Sequence, residues 1–254
     1  MNYIGLDSGS TTTKGILFRE NVILNQQIMA TAGNPRKAIA TILDTFKEQT
    51  DFEDTKIITT GYGRKLFPAD LVLTEITCHG KGARFLHETA KYVIDIGGQD
   101  CKAIALNDKG AVMDFNMNDR CAAGTGRFVE VMMQALGENI SELDKFVENA
   151  VPVPINSMCT VFAESEIVSL VAKEEPRENI ALGVLHGIAK RVSNQYNKLQ
   201  AKNDGTILFT GGLSGSKQFI KVLSEYISVP IVTHDLAQYA GAIGAAVIGS
   251  NKLS

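Results

Sequence analysis

The chain has 254 residues, 44% hydrophobic and 21% charged, enough for one large or two small domains whose core removes about 70–75% of the unfolded surface from water. Its 25 Lys and Arg against 28 Asp and Glu leave a net charge of −3 with no block of like sign, which speaks against a partner that is nucleic acid or an anionic membrane surface. No apolar run approaches the roughly 20 residues of a membrane span, and the chain opens on a strand pattern rather than a basic and then apolar leader, so a soluble, cytoplasmic protein is expected.

Residues 3–7 (Tyr-Ile-Gly-Leu-Asp) read as a buried strand that stops at a small, hydroxyl-rich turn, residues 8–14 (Ser-Gly-Ser-Thr-Thr-Thr-Lys), and resumes at 15–18 as the second arm of a hairpin. Residues 22–28 supply a third strand, 35–47 have helical periodicity with proline in the first turn, 56–61 return to strand, and 75–90 are helical. From Tyr92 the opening pattern recurs: an apolar strand with an aspartate near its end (92–96), a turn Gly97-Gly98-Gln99-Asp100, and a return strand 101–106. Residues 111–116 extend this second sheet, and helices are expected at 122–136, 160–172 and 179–202. A strand at 206–210 runs into Gly211-Gly212, followed by a helix near 216–227, a short strand at 230–232 and a last helix from Ala237. The repeated order implies an α/β chain of two similar lobes, residues 1–91 with 234–254 and residues 92–233, with a ligand in the cleft where the two aspartate-bearing hairpins converge.

A Gly/Ser/Thr turn between strands offers backbone N–H groups and hydroxyls without bulk, as phosphate oxygens require. The spacing of a P-loop is absent. Asp7 and Asp95, each near a strand end, suit a hydrated Mg²⁺ that takes one or two carboxylates and keeps several waters, and Gln99 suits an orienter of attacking water. Taken singly, such a hairpin is equally well a tight turn with Asp7 as a local cap; two of them, with a late strand-Gly-Gly turn, favour the phosphate reading. The arrangement resembles the actin, Hsp70 and sugar-kinase ATPase superfamily, of ribonuclease H-like fold, over nearly the whole chain. That resemblance makes the two hairpins the phosphate segments and lets Gly211 and Gly212 cover the nucleotide, with residues 237–246 as the closing helix. Lys14 either reaches the phosphates or is a solvated strand lysine.

Four cysteines are too few for a disulfide scaffold and leave packing, metal binding or redox chemistry. Cys101 alternates with Ala103 and Ala105 on one strand face, and Cys78 is expected to pack on the inter-lobe helix with His79 as an ordinary helix histidine. Cys121 and Cys159 each stand at an expected helix start, where exposed N–H groups and the helix dipole favour the thiolate. Two thiolates do not complete a four-sulfur site, but a two-fold dimer supplies the other two.

Residues 118–128 (Asn-Asp-Arg-Cys-Ala-Ala-Gly-Thr-Gly-Arg-Phe) and 158–166 (Met-Cys-Thr-Val-Phe-Ala-Glu-Ser-Glu), inside a two-hairpin ATPase, closely resemble the activator components of 2-hydroxyacyl-CoA dehydratases, whose wider family includes the ATP-binding subunits of benzoyl-CoA reductase. Further matches are Gly61-Tyr62-Gly63-Arg64, residues 75–79, residues 95–100 and residues 236–239. The resemblance implies a homodimer with one oxygen-labile [4Fe-4S] cluster held by Cys121 and Cys159 of each subunit. It implies ATP and ADP contacts at Ser10, Thr11, Thr12, Thr13, Lys14, Gln99, Gly211, Gly212 and Gln238. It further implies an ATPase that takes electrons from a ferredoxin or flavodoxin and passes them singly to a separate iron–sulfur dehydratase or reductase. The readings that compete are a small-molecule kinase, a nucleotide-sensing ATPase and a structural zinc site of two cysteines per subunit.

Overall fold

The computed structural model describes residues 1–118, 125–156, 160–200 and 204–253. Its first sheet contains β1 (Asn2–Ser8), β2 (Thr12–Arg19), β3 (Val22–Ala30), β4 (Thr55–Thr60) and β5 (Leu71–Val72), in the order β3-β2-β1-β4-β5. The second contains β6 (Ala90–Ile96), β7 (Cys101–Leu106), β8 (Val112–Asn118), β9 (Thr206–Gly211) and β10 (Ile231–Val232), in the order β10-β9-β6-β7-β8. Read from the third strand of each, the two orders are the same, and in both sheets the first three strands are antiparallel while the fourth and fifth join in parallel. The internal repetition seen in the sequence is therefore a repetition of topology.

Local chemistry accounts for the elements. Every residue of β1, Asn2–Ser8, is buried, as a central strand covered on both faces requires. Helix α1 (Pro35–Lys47) starts with proline where its missing N–H is no loss, and the Asn34 carboxamide oxygen accepts the Lys37 amide. Its apolar face, Ala38, Ile39, Ile42, Leu43 and Phe46, packs on Ile4, Leu6 and Leu17. The opposite face of that sheet meets α8 (Ala240–Lys252), which is apolar around most of its circumference and buried accordingly. On the second sheet, α3 (Gly126–Ala135), α6 (Arg177–Tyr196) and α7 (Lys217–Ser224) cover the face formed by Ile94, Ile96, Cys101 and Ala103. The other face meets α2 (Glu75–Leu86) through Val93, Ile104 and Leu208. Cys78 and Cys101 are both buried packing residues.

Helices α2 and α8 thus lie side by side between the two sheets. Glycines permit the close approach: a Cβ on Gly82 would run into the Ala240 carbonyl oxygen, and one on Gly244 into that of Cys78. Gly244→Ala is expected to cost about 1–3 kcal/mol through overpacking, lowering the thermal midpoint by about 2–4 °C for each kcal/mol. Circular dichroism through the transition checks this, and an unchanged midpoint would show that the two helices separate without penalty.

Several boundaries depart from the sequence reading. Helix α2 ends at Leu86, because His87 is extended and Ala90 already belongs to β6, the central strand of its sheet. Strand β2 begins at Thr12 instead of after Lys14, since Thr12–Lys14 pair with Met29–Ala30 and Ile28 of β3. Helix α6 stops at Tyr196, whose ring packs edge-on against Tyr92. The two-residue β5, a 3₁₀ turn at Ile140–Glu142, and α4 (Leu143–Phe146) are too short to leave a periodic signal. The start of the helix expected from 122 lies outside the described residues, which resume before α3 at Gly126; α5 (Thr160–Ala172) has the expected bounds. None of the helices among the described residues is long and apolar enough to cross a membrane.

Candidate functional site: a two-hairpin cleft

The hairpins β1–β2 and β6–β7 face each other across a cavity of about 370 Å³. The first turn is braced from behind: the Thr31 hydroxyl donates to the Gly9 carbonyl at 2.9 Å, and its backbone N–H donates to the Thr11 carbonyl at 2.8 Å. Closure of the second turn comes from the Gly97 amide on the Asp100 carbonyl at 2.9 Å. That turn is then fastened to α3, whose Gly126 and Arg127 amides donate to the Gly97 and Gly98 carbonyls at 2.9 and 3.1 Å. The turns meet across the cleft, since a Cβ on Gly98 would strike the Thr11 side chain.

Most of the residues singled out from the sequence line this cavity: Asp7, Ser10, Thr11, Thr12 and Lys14 on one side, Asp95, Gln99 and Gly211 on the other, and Gln238 from the turn before α8. Thr13 does not, because alternation along β2 turns its buried hydroxyl onto Thr31 at 3.0 Å. Gly212 is exposed beside the cavity, its amide bonded to the Ile96 carbonyl. Cys121 and Cys159 lie outside the described residues; among those described, no group of three or more His, Cys, Asp or Glu has metal-holding geometry.

The strand registers place equivalent groups in each half. Asp7 pairs with Lys14 across β1–β2 and stands beside Thr60 of β4; Asp95 pairs with Lys102 across β6–β7 and stands beside Thr210 of β9. Their environments nevertheless differ. Asp95 is fully engaged: Lys102 Nζ reaches Oδ2 at 3.1 Å, the Thr210 hydroxyl donates to Oδ1 at 2.7 Å, and His79 Nδ1 lies 3.4 Å away. Burial alone would raise its pKa, but His79, Lys102 and the Thr210 bond outweigh it and hold the carboxyl well below the usual range. Among the described residues Asp7 has a buried Oδ1 without a hydrogen-bond partner and only His79 Nε2 at 3.9 Å from Oδ2, while the Thr60 hydroxyl turns to the Leu73 carbonyl. Its burial, only partly offset by Lys14 and His79, pushes its pKa up from 3.8. A buried, orphaned carboxylate oxygen facing a polar cleft is suited to a cation or its water shell.

The sequence reading missed Glu75, His79, Lys102 and Arg64 as cleft residues. His79, expected there to be an ordinary helix histidine, is buried between the two aspartates, its Nδ1 without a hydrogen-bond partner among the described residues. A signal for Lys102 did exist, since each lysine follows its aspartate by seven residues in both hairpins. Glu75 and His79, four apart on α2, have no such repeat; their only sequence signal was the family match of residues 75–79, as that of residues 61–64 was for Arg64.

Two sheets of matched strand order around one cleft give the chain a fold of the actin, Hsp70 and sugar-kinase type. Distant solved structures such as a ROK hexokinase from Thermus thermophilus share it at 15% identity and a TM-score of 0.58, a likeness of fold alone. Within that class the chain belongs to the BadF/BadG/BcrA/BcrD ATPase family, whose model matches residues 4–249. It is 49% identical to the YjiL protein of Escherichia coli K12, over 97% of this chain and 96% of that one. The Acidaminococcus fermentans (R)-2-hydroxyglutaryl-CoA dehydratase component A superposes with a TM-score of 0.91 at 36% identity, covering 99% of this chain and 98% of that one. The activator of the 2-hydroxyisocaproyl-CoA dehydratase from Clostridium difficile, solved with bound ADPNP, does so with a TM-score of 0.90 at 33% identity, covering 99% and 95%.

Proposed function

We propose that this chain is an ATP-driven one-electron donor that reductively activates a separate iron–sulfur enzyme, a 2-hydroxyacyl-CoA dehydratase or a related reductase. Residues 1–91 with 234–254 form one lobe and 92–233 the other. ATP lies between them, its phosphates against Ser10, Thr11, Thr12 and Lys14 on one side and Gln99 on the other, with Gly211, Gly212 and Gln238 nearer the nucleoside. Asp7, through its unpartnered oxygen, is the carboxylate suited to hydrated Mg²⁺; Asp95, saturated by Lys102 and Thr210, organises the second turn. Gln99 orients the attacking water.

The observation that carries the reading is the pair of hydrogen bonds from Gly126 and Arg127 to the carbonyls of the Gly97-Gly98 turn. Through them a change in phosphate occupancy bears directly on the first turn of α3, and α3 packs against α5. In sequence, α3 follows the Cys121 segment and α5 begins at the residue after Cys159. These cysteines, two from each subunit of a homodimer, form a donor set that fits a [4Fe-4S] cluster. Held there, such a cluster would supply a reversible one-electron store, with a ferredoxin or flavodoxin as its donor. Lobe movement that displaces α3 and α5 would move the chain that leads into both helices, and with it their positive ends.

Iron, sulfide, visible spectrum and solution mass of protein purified without oxygen test this together. About four irons per dimer with bleaching on reduction is the expected result. A colourless, iron-free ATPase after attempted reconstitution would overturn it in favour of a nucleotide sensor, a zinc-bound dimer would make the site structural, and a phosphorylated acceptor would make the protein a kinase. Gln99→Ala is expected to lower ATP turnover about 10- to 100-fold, as loss of one water-orienting group does, while leaving ATP affinity within about twofold. Steady-state phosphate release and nucleotide titration check it; unchanged turnover would assign the water to another group.

A further inference from the structure

The two lysines placed alike by the repeat have diverged. Lys14 is half-buried, lines the cleft and makes no ion pair among the described residues. Lys102 has no exposed side-chain surface, and its ammonium binds three carboxylates from three elements: Asp100 of the second turn at 2.7 Å, Glu75 of α2 at 2.9 Å and Asp95 of β6 at 3.1 Å. Three donors thereby meet three acceptors, the full capacity of an ammonium group. Such a lysine has nothing left to offer a phosphate. We propose that Lys102 is a positioning residue for ATP hydrolysis: with Asp100 and Glu75 it clamps the Gly97–Asp100 turn, and so Gln99, to the inter-lobe helix α2. The inference rests on the role of Gln99 given above and extends it to residues outside the nucleotide contacts.

The geometry supports a clamp over simple charge neutralisation. Asp100 is the last residue of the turn, and its carboxylate folds back over Gly97, where a Cβ would strike it. Glu75 is in the first turn of α2, which packs on α8, so the clamp registers the second hairpin against the helix pair between the lobes. The groups facing Lys102 and its carboxylates are His79 on α2 and, at longer range, Asp7 on β1 and Lys14 on β2.

Glu75→Gln keeps side-chain size and leaves Lys102 paired with Asp95 and Asp100, so it tests the clamp without stranding a cation. A roughly 10- to 100-fold fall in kcat for ATP is expected, with the KM, and the thermal shift produced by Mg-ADP, within about twofold of the parent. Amide hydrogen exchange at residues 97–100 is expected to quicken without nucleotide. Unchanged kcat, or a raised KM at unchanged kcat, would overturn the proposal, the second outcome making Glu75 a binding group. Should Glu75→Gln fail to fold, the same split in Asp100→Asn, which leaves the Glu75 contact intact, decides in the same sense. A parent protein that binds Mg-ATP but does not turn it over would instead sink the role of Gln99, a failure visible before any variant is made.

Discussion

Cys121→Ser, purified and reconstituted without oxygen, is expected to retain less than about a tenth of the parent's iron, because a thiolate is the ligand and a serine hydroxyl stays protonated at neutral pH. In a two-fold dimer a single substitution removes two of four ligands at once. The remaining cysteines are poor replacements. Cys78 is fully buried against α8, and burial pushes its thiol up to about 12; burial raises Cys101 further, with Asp95 adding to the effect. Cys101→Ala should therefore keep its iron. Nucleotide binding should survive Cys121→Ser, since Asp7, Lys14 and Gln99 are untouched. Full iron content in Cys121→Ser would remove the shared cluster from the proposed function and return this cysteine to packing.

Lys102→Met is expected to destabilise the protein by about 3–5 kcal/mol, the cost of breaking a buried ion pair from one side. The side chain that replaces it has similar length, so the loss reports charge more than volume. Burial by itself would lower the Lys102 pKa; Asp95, Glu75 and Asp100 outweigh it and hold it well above 10.5. A raised lysine pKa contributes stability that is complete below 10.5 and is lost as pH rises through the folded value. Asp95 has the opposite sign: its depressed pKa contributes stability above about 3.8 that is lost as pH falls through the folded value. Without Lys102, Asp95 loses one of the charges that hold it down, and burial at Asp100 loses its main opponent, so the ionised forms become costlier. The deficit of the variant is thus largest above about pH 5 and narrows below about pH 4, where the carboxylates take up protons. Denaturant unfolding of parent and variant at pH 7 and pH 4 measures this; an equal deficit at both pH values would assign the loss to packing alone.

The fold was legible because it is written twice in local patterns. An apolar strand ending in aspartate, a small-residue turn and a return strand appear at 3–18 and at 92–106, and each half folds into the same strand order. Apolar periodicity located α1 and α5 to the residue, because their buried faces or flanking breaks are continuous in sequence. It overran at α2, where periodicity continues past Leu86 although the chain must turn to place Ala90 at the start of a central strand. Hydrogen bonds to β3 decided the start of β2, and no local pattern records them.

The chemistry divides in the same way. Residue type and spacing alone marked Asp7, Asp95, the two turns, Lys14 and Gln99, since phosphate-handling turns are built from neighbours in the chain. Which aspartate is free and which is committed was settled only by α2 and α8 lying between the sheets: α2 brings Glu75 and His79 against the second hairpin, while α8 brings Gly241, with no side chain, against Asp7. Of two equivalent cleft lysines, that asymmetry leaves Lys14 without an ion pair among the described residues and makes Lys102 a buried clamp. It arises from contacts between residues far apart in the chain, where packing of α2 brings Glu75 within 2.9 Å of Lys102, and the dielectric of a buried site then gives those contacts their weight.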